Sequence, residues 1–194
     1  MTKYSAIILA GGKSRRMGQK KGELIFRGKT FYEVLIEKLN SLGIKEILLS
    51  GYDYKDDRVI FVEDIYKDKG PLAGIHSGLI RSSAESVLVI TEDAPFVPED
   101  FIKQLMAKHK EGSAMITLAS CRENIQQLVG IYDKGLAPLA ENILNSERPT
   151  VKNLINKAGY VLLPYEGEEI MIRGCNTPEE YIDMVRGLKD YKRR

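Results

Sequence analysis

The chain has 194 residues, with 29 Lys plus Arg against 27 Asp plus Glu, for a formal net charge of +2. That near balance excludes a protein whose whole surface binds nucleic acid or an acidic membrane, since such binding needs a broad positive field. With 43% hydrophobic and 29% charged residues the chain reads as ordinary and globular, and its length suits one domain over residues 1–194 with room for a core and a cleft.

Residues 6–9, within YSAIIL, form a compact apolar run stopped by Gly11 and Gly12, predicted as a buried strand. A polar, glycine-containing loop follows over 10–21. Thr30 is a natural N-cap for a helix with Phe31, Val34, Leu35, Leu39 and Leu42 on one face, ended by Gly43. Strands are expected at 46–50 and 59–62, a short helix at Pro71–Arg81 and a buried strand at 87–90. The spacing of Phe101, Ile102, Leu105 and Met106 predicts a helix over 99–110. Strands at 114–118 and 127–132 precede helices at 136–144 and Val151–Ala158. Late strands are expected at 160–163 and 169–172, then a final helix over 178–188 with Pro178 in its first turn. Residues 189–194 are polar and basic and read as a flexible tail.

Strands alternating with helices, with strands apolar on both faces, predict an α/β fold: three layers, α/β/α, around a Rossmann-like, mostly parallel sheet. Two cysteines, Cys121 and Cys175, are too few and too far apart for a disulfide framework or a zinc site, and read as reduced, buried thiols. The apolar run near the start is too short for a signal peptide, and no run approaches the roughly 20 residues of a membrane helix. The expectation is a cytoplasmic protein without membrane or nucleic-acid partners.

In such sheets ligands bind outside the carboxyl ends of the strands. Two strand ends stand out. LAGGKSRRMGQKK, following the first strand, holds Lys13, Arg15, Arg16, Lys20 and Lys21 with no acidic residue, more positive charge than the whole chain nets. Its glycines let backbone N–H groups approach a ligand, and its cations neutralise phosphate oxygens. A solvated basic loop is the competing reading; the place directly after a buried strand favours phosphate. At the second end, VLVITEDAPFVPED, Glu92 and Asp93 follow the strand and Pro95 and Pro98 turn the chain. A carboxylate there suits Mg²⁺, while Asp-x-Pro alone is more often a turn at the surface. Together, a basic glycine loop and an acidic anchor suit nucleotidyl or phosphoryl transfer. Gly12-Lys13-Ser14 and Gly28-Lys29-Thr30 are not P-loops, because the glycine required five residues earlier is Ile7 or Glu23.

The stretch from Leu9 to Gly18 resembles the LAGGxSxRMGxDK signature of the molybdenum cofactor guanylyltransferases. Gly70-Pro71-Leu72-Ala73-Gly74-Ile75 resembles that family's GPLAGI segment, Asp93-Ala94-Pro95-Phe96 its Asp-x-Pro-Phe metal site, Gln126-Gln127-Leu128 its Gln-Pro-Leu strand, and Asn176-Thr177-Pro178-Glu179 the end of its Asn-x-Asn-Thr-Pro-Glu motif. The matches run in order along nearly the whole chain. The resemblance implies a single domain of the nucleotide-diphospho-sugar transferase type. The implied reaction joins GTP, with Mg²⁺, to molybdopterin or its molybdenum-loaded form: the terminal pterin phosphate attacks the α-phosphorus and pyrophosphate leaves. On that resemblance Ala10, Gly11, Gly12 and Ser14 belong to the nucleotide loop, Arg16 holds pyrophosphate, Lys21 neutralises the α-phosphate and Asp93 anchors Mg²⁺. Leu9, Gly70, Pro71 and Leu72 enclose guanine, and Gln126 and Asn176 face the pterin. Other cofactor-assembly proteins and acceptor molybdoenzymes are the implied protein partners.

The chain departs from that pattern at Lys20 (Asp in the family), Gly51 (Asn), Gln127 (Pro), Gly174 (the first Asn of Asn-x-Asn) and Glu92 (a small residue such as Cys). The alternatives left open are a CTP-dependent or sugar-phosphate nucleotidyltransferase of the same fold, and a non-catalytic nucleotide- or pterin-binding homologue. His76 reads as a partly exposed helix residue rather than a cleft ligand. His109 reads as a surface residue at a helix carboxyl end.

Overall fold

The computed structural model describes residues 4–11, 20–175 and 177–191, with side chains described as far as residue 185. In chain order, β1 (Tyr4–Leu9) leads to a small hairpin, β2 (Ile25–Phe26) and β3 (Lys29–Thr30), then α1 (Phe31–Ser41). Next come β4 (Ile47–Ser50), β5 (Ile60–Val62), α2 (Pro71–Arg81), β6 (Ser86–Thr91) and α3 (Glu99–Glu111). The hairpin β7 (Ile116–Cys121) and β8 (Asn124–Asp133) precedes α4 (Ala137–Leu144), α5 (Val151–Ala158), β9 (Val161–Pro164), α6 (Ile170–Arg173) and α7 (Pro178–Tyr191). Thr30 caps α1 as expected: its side chain accepts from the Glu33 N–H while the Glu33 carboxylate accepts from the Thr30 N–H, a reciprocal cap that satisfies two orphan donors.

Among the described residues the main sheet has seven strands in the order β5-β4-β1-β6-β8-β7-β9. Only β8 runs antiparallel to its neighbours, so β1, β4, β6 and β7 all end at one edge. Alternation along β1 builds the layers. Ala6 and Ile8 face a cluster with Tyr32, Leu35 and Leu39 of α1 and Phe101, Ile102 and Leu105 of α3. Ile7 and Leu9 face the opposite cluster, with Leu72, Ile75 and Leu79 of α2 and Ile143 and Leu154 beyond. Each fully buried Leu or Ile contributes about 1.5–3 kcal/mol, so the central strand is braced from both sides. A third cluster of Leu24, Phe31, Phe96, Cys175 and Met184 ties the small hairpin and α7 to the segment after β6.

Four expectations are corrected. Residues 170–172, expected within a strand over 169–172, instead lie in the short helix α6, because three apolar residues fit either period and no neighbouring strand pairs with them. Gly174, at φ +76°, then ends that helix. The last helix continues to Tyr191, so 189–191 belong to it rather than to a tail. His109 is buried, its Nδ1 2.9 Å from Thr117 Oγ1 and its Nε2 2.9 Å from Asp133 Oδ1, pinning α3 to the β7–β8 hairpin. His76 is also buried, edge-on to Tyr66, with neither ring nitrogen hydrogen-bonded to a described residue. Both free cysteines are buried, as expected.

Candidate active site

The carboxyl ends of β1, β4 and β6 open on a cavity of about 320 Å³. Neighbouring main chains tie its floor: the Ala10 N–H donates to the Ser50 carbonyl at 2.8 Å, and the Glu92 N–H to the Leu9 carbonyl at 3.1 Å. Leu9, Ala10 and Gly11 form the wall after β1, Gly70 and Pro71 the wall at the start of α2, and Lys21 and Asp93 lie between. The structure therefore brings together all of these residues singled out from the sequence. Leu72 stands apart: it is fully buried in the α2 core, and with Gln127 and Leu128 it bounds an adjoining hollow of about 290 Å³. Gln126 is half-buried on β8 and lines neither hollow. Gly12, Ser14, Arg16 and Asn176 lie outside the described residues.

Lys21 Nζ donates to Asp93 Oδ2 at 2.7 Å, and only 14% and 16% of the two side chains is exposed. One step back, the Glu92 carboxyl is buried; its Oε2 accepts from the Gly22 N–H at 3.3 Å and from the Tyr32 hydroxyl. Burial pushes the Glu92 carboxyl above the usual carboxylate range and outweighs the bond from Tyr32, and burial beside Glu92 raises the Tyr32 phenol too. Lys38 reaches from α1 to donate to the Pro95 and Val97 carbonyls, both at 2.6 Å, which fixes the turn after Asp93. Burial lowers its ammonium to about 8. The Cys175 N–H donates to the Asp93 carbonyl at 3.2 Å, and burial, then the Asp93 charge, push the Cys175 thiol up to about 11.

Two departures from the family pattern have a steric cause here. Gly51 sits at φ +89°, and a Cβ there would lie 2.2 Å from the Ala10 carbonyl oxygen. At Gly174 a Cβ would lie 2.4 Å from the Asp93 carbonyl oxygen and 2.8 Å from its Oδ1. Neither position has room for an Asn side chain as the chain now runs. Lys20 places its ammonium over the Tyr52 ring, 3.2 Å from the centroid.

The cavity also contains groups not picked out from the sequence. Ser50 Oγ donates to Asp64 Oδ1 at 2.6 Å, and Asp64, Asp68 and Thr91 all belong to the wall. Asp64 closely follows β5, so the strand-end rule applied to Asp93 points to it as well. Among the described residues no three His, Cys, Asp or Glu side chains gather as a metal cage. Asp93, a carboxylate beside open space, suits Mg²⁺, which keeps waters and substrate phosphates as its other ligands.

The family profile described as "MobA-like NTP transferase domain" matches residues 6–159. A protein of Flavobacterium johnsoniae named "Probable molybdenum cofactor guanylyltransferase" is 31% identical over 95% of this chain and 97% of its own. A Geobacillus protein with the same name is 30% identical over 95% of this chain and all of its own. The crystal structure of molybdopterin-guanine dinucleotide biosynthesis protein A from Archaeoglobus fulgidus superposes with a TM-score of 0.79 at 21% identity, over 96% of this chain and 99% of that one.

Proposed function

The chain belongs to the MobA-like NTP transferase family, and from that premise we propose that it transfers GMP from GTP to the terminal phosphate of molybdopterin or Mo-molybdopterin, releasing pyrophosphate. The observation that carries the reading is the Lys21–Asp93 pair set into the cavity where β1 and β6 end, the place where an α/β sheet receives a nucleotide. A pterin phosphate oxygen forms the new bond to the α-phosphorus; the bond to the bridging oxygen breaks, and its electron pair leaves with pyrophosphate.

The protein's part is positioning and charge neutralisation, with no covalent intermediate. Lys21 neutralises the α-phosphate as charge builds there. Arg16 holds the departing pyrophosphate, and Ala10, Gly11, Gly12 and Ser14 supply the loop that follows the nucleotide. Leu9, Gly70 and Pro71 form the guanine side, with Leu72 packed behind them; Asp64 and Asp68 are carboxylates able to accept from its N1–H and exocyclic amine. Asp93 would hold Mg²⁺, which supplies positive charge to the phosphate oxygens when bound. Gln126 and Asn176 face the pterin. Residues 1–194 act as one nucleotidyltransferase domain, working in the cytoplasm beside cofactor-assembly proteins and acceptor molybdoenzymes. Among the described residues no helix is long and apolar enough to cross a membrane.

The test is pyrophosphate release by the purified protein with Mg²⁺ and each nucleoside triphosphate, with and without molybdopterin. Release is expected with GTP and molybdopterin together. Release with CTP in place of GTP, or with no combination, overturns the reading.

A further inference from the structure

Four consecutive residues, Lys20 to Glu23, cross an aromatic and acidic support that is buried at Tyr32 and Glu92 and half-buried at Tyr52 and Tyr54. Tyr32, Tyr52 and Tyr54 pack together, with ring centroids 4.7 Å apart for Tyr32–Tyr54 and 5.8 Å for Tyr32–Tyr52. Gly22 lies so close on the Tyr32 ring that a Cβ would fall 2.1 Å from its Cζ. Tyr52 holds the residues on either side: Lys20 stands over its ring, and its hydroxyl donates to Glu23 Oε1 at 2.6 Å. Beneath them, Glu92 Oε2 accepts from both the Gly22 N–H and the Tyr32 hydroxyl. Glu92 is only 6% exposed and Tyr32 fully buried, so this oxygen is shielded from competing water.

The Gly22 N–H belongs to the peptide that Lys21 begins. Glu92 thus fixes the main chain at Lys21, while the next residue, Asp93, receives its ammonium. A lysine side chain is long and freely rotating, and holding it in one place costs rotamer entropy. A rigid anchor at its root reduces the volume the ammonium searches.

We propose that Glu92, buttressed by Tyr32, is a positioning residue that fixes the main chain at Gly22 and so aims the Lys21 ammonium into the cavity. The proposal rests on the guanylyl-transfer reading for the role of Lys21. On this proposal Glu92 acts through Lys21 and not on the reacting atoms. Because both bonds converge on one oxygen, glutamine keeps them through its carbonyl, whereas leucine fills similar space and keeps neither.

The experiment compares Glu92→Gln, Glu92→Leu and Tyr32→Phe by kcat and KM for GTP, each alone and with Lys21→Ala. Alongside, amide hydrogen exchange at Gly22 is followed in the nucleotide-free protein. Glu92→Leu is expected to lower kcat by about tenfold or more with little change in KM, as for loss of transition-state alignment. Glu92→Gln should remain within about twofold of wild type, and Tyr32→Phe should fall between the two. In the Lys21→Ala background Glu92→Leu should cost nothing further, since two residues acting through one ammonium are not additive. Exchange at Gly22 should quicken in Glu92→Leu and not in Glu92→Gln. Independent, multiplying losses of kcat overturn the proposal, as does unchanged Gly22 exchange in Glu92→Leu. If wild type releases no pyrophosphate, the guanylyl-transfer reading fails; the exchange measurement still decides whether Glu92 anchors Gly22.

Discussion

Lys21 and Asp93 meet at 2.7 Å across 72 positions of sequence, joining the segment after β1 to the segment after β6. Both charges are mostly withdrawn from water, so removing either one breaks a largely buried pair. Lys21→Ala and Asp93→Asn should each reduce guanylyl transfer by about 10²–10³-fold, the scale of losing one electrostatic contact to a transition state. Each should also lower stability in urea titrations. Lys21→Met with Asp93→Leu should recover stability without recovering activity, because an apolar pair satisfies the burial but holds no phosphate or metal. Wild-type turnover in either single variant would remove these residues from the mechanism.

Gly174 governs the other side of Asp93. A methyl group there would overlap the Asp93 carbonyl oxygen, and φ +76° disfavours any side chain. Gly174→Ala should therefore displace the Asp93 turn, destabilise the fold by about 1–3 kcal/mol and lower kcat more than KM. Thermal unfolding and steady-state kinetics check this together; an unaltered kcat would show that Asp93 tolerates the shift.

Lys38 sets an alkaline dependence. Its ammonium falls from 10.5 to about 8 in the folded chain through burial. Between those values the unfolded chain binds the proton and the native chain does not, so stability from this group rises with pH across that window. Below about pH 8 both forms are protonated and the contribution is flat. Lys38→Met should abolish the rise in urea midpoint between pH 8 and 10, and at pH 7 cost about 1–3 kcal/mol for the two carbonyls left without a donor. A variant with the wild-type alkaline slope would assign that slope elsewhere.

His76 sets an acid dependence. Burial lowers its imidazole below 6.5. Below that value the unfolded chain takes up a proton that the native chain resists, so stability falls as pH drops through 6.5 and beyond. Both ring nitrogens lack a described partner, so His76→Leu forfeits no hydrogen bond seen among the described residues. The variant should match wild type within about 1 kcal/mol at pH 7.5 and lose less stability by pH 5. Equal losses in the two proteins would remove His76 from the acid limb.

Much of this molecule was legible along the chain. The layered α/β class follows from apolar runs alternating with helical periods, and α2 and α5 coincide with the expected Pro71–Arg81 and Val151–Ala158. The cavity's basic and acidic ends followed from the rule that ligands gather where parallel strands stop. Legibility failed where a residue's neighbours are distant in sequence. EIMI carries no periodicity long enough to choose between strand and helix, and only the lack of a pairing strand decides it. His109 looks polar and terminal in the sequence, yet Thr117 and Asp133 close over it when the β7–β8 hairpin packs on α3.

The sequence by itself determined the layers, the strand ends that bear chemistry, and the cations and carboxylates available there, because these follow from local periodicity and from residue type. Only the tertiary structure decided that Lys21 and Asp93 form a pair, that Gly51 and Gly174 exclude side chains beside the site, and that the Glu92 carboxyl is buried and bound to the Gly22 N–H. Those depend on how closely remote segments approach, and that distance is set by packing the sheet and its helices to crystal-like density, which no local pattern encodes.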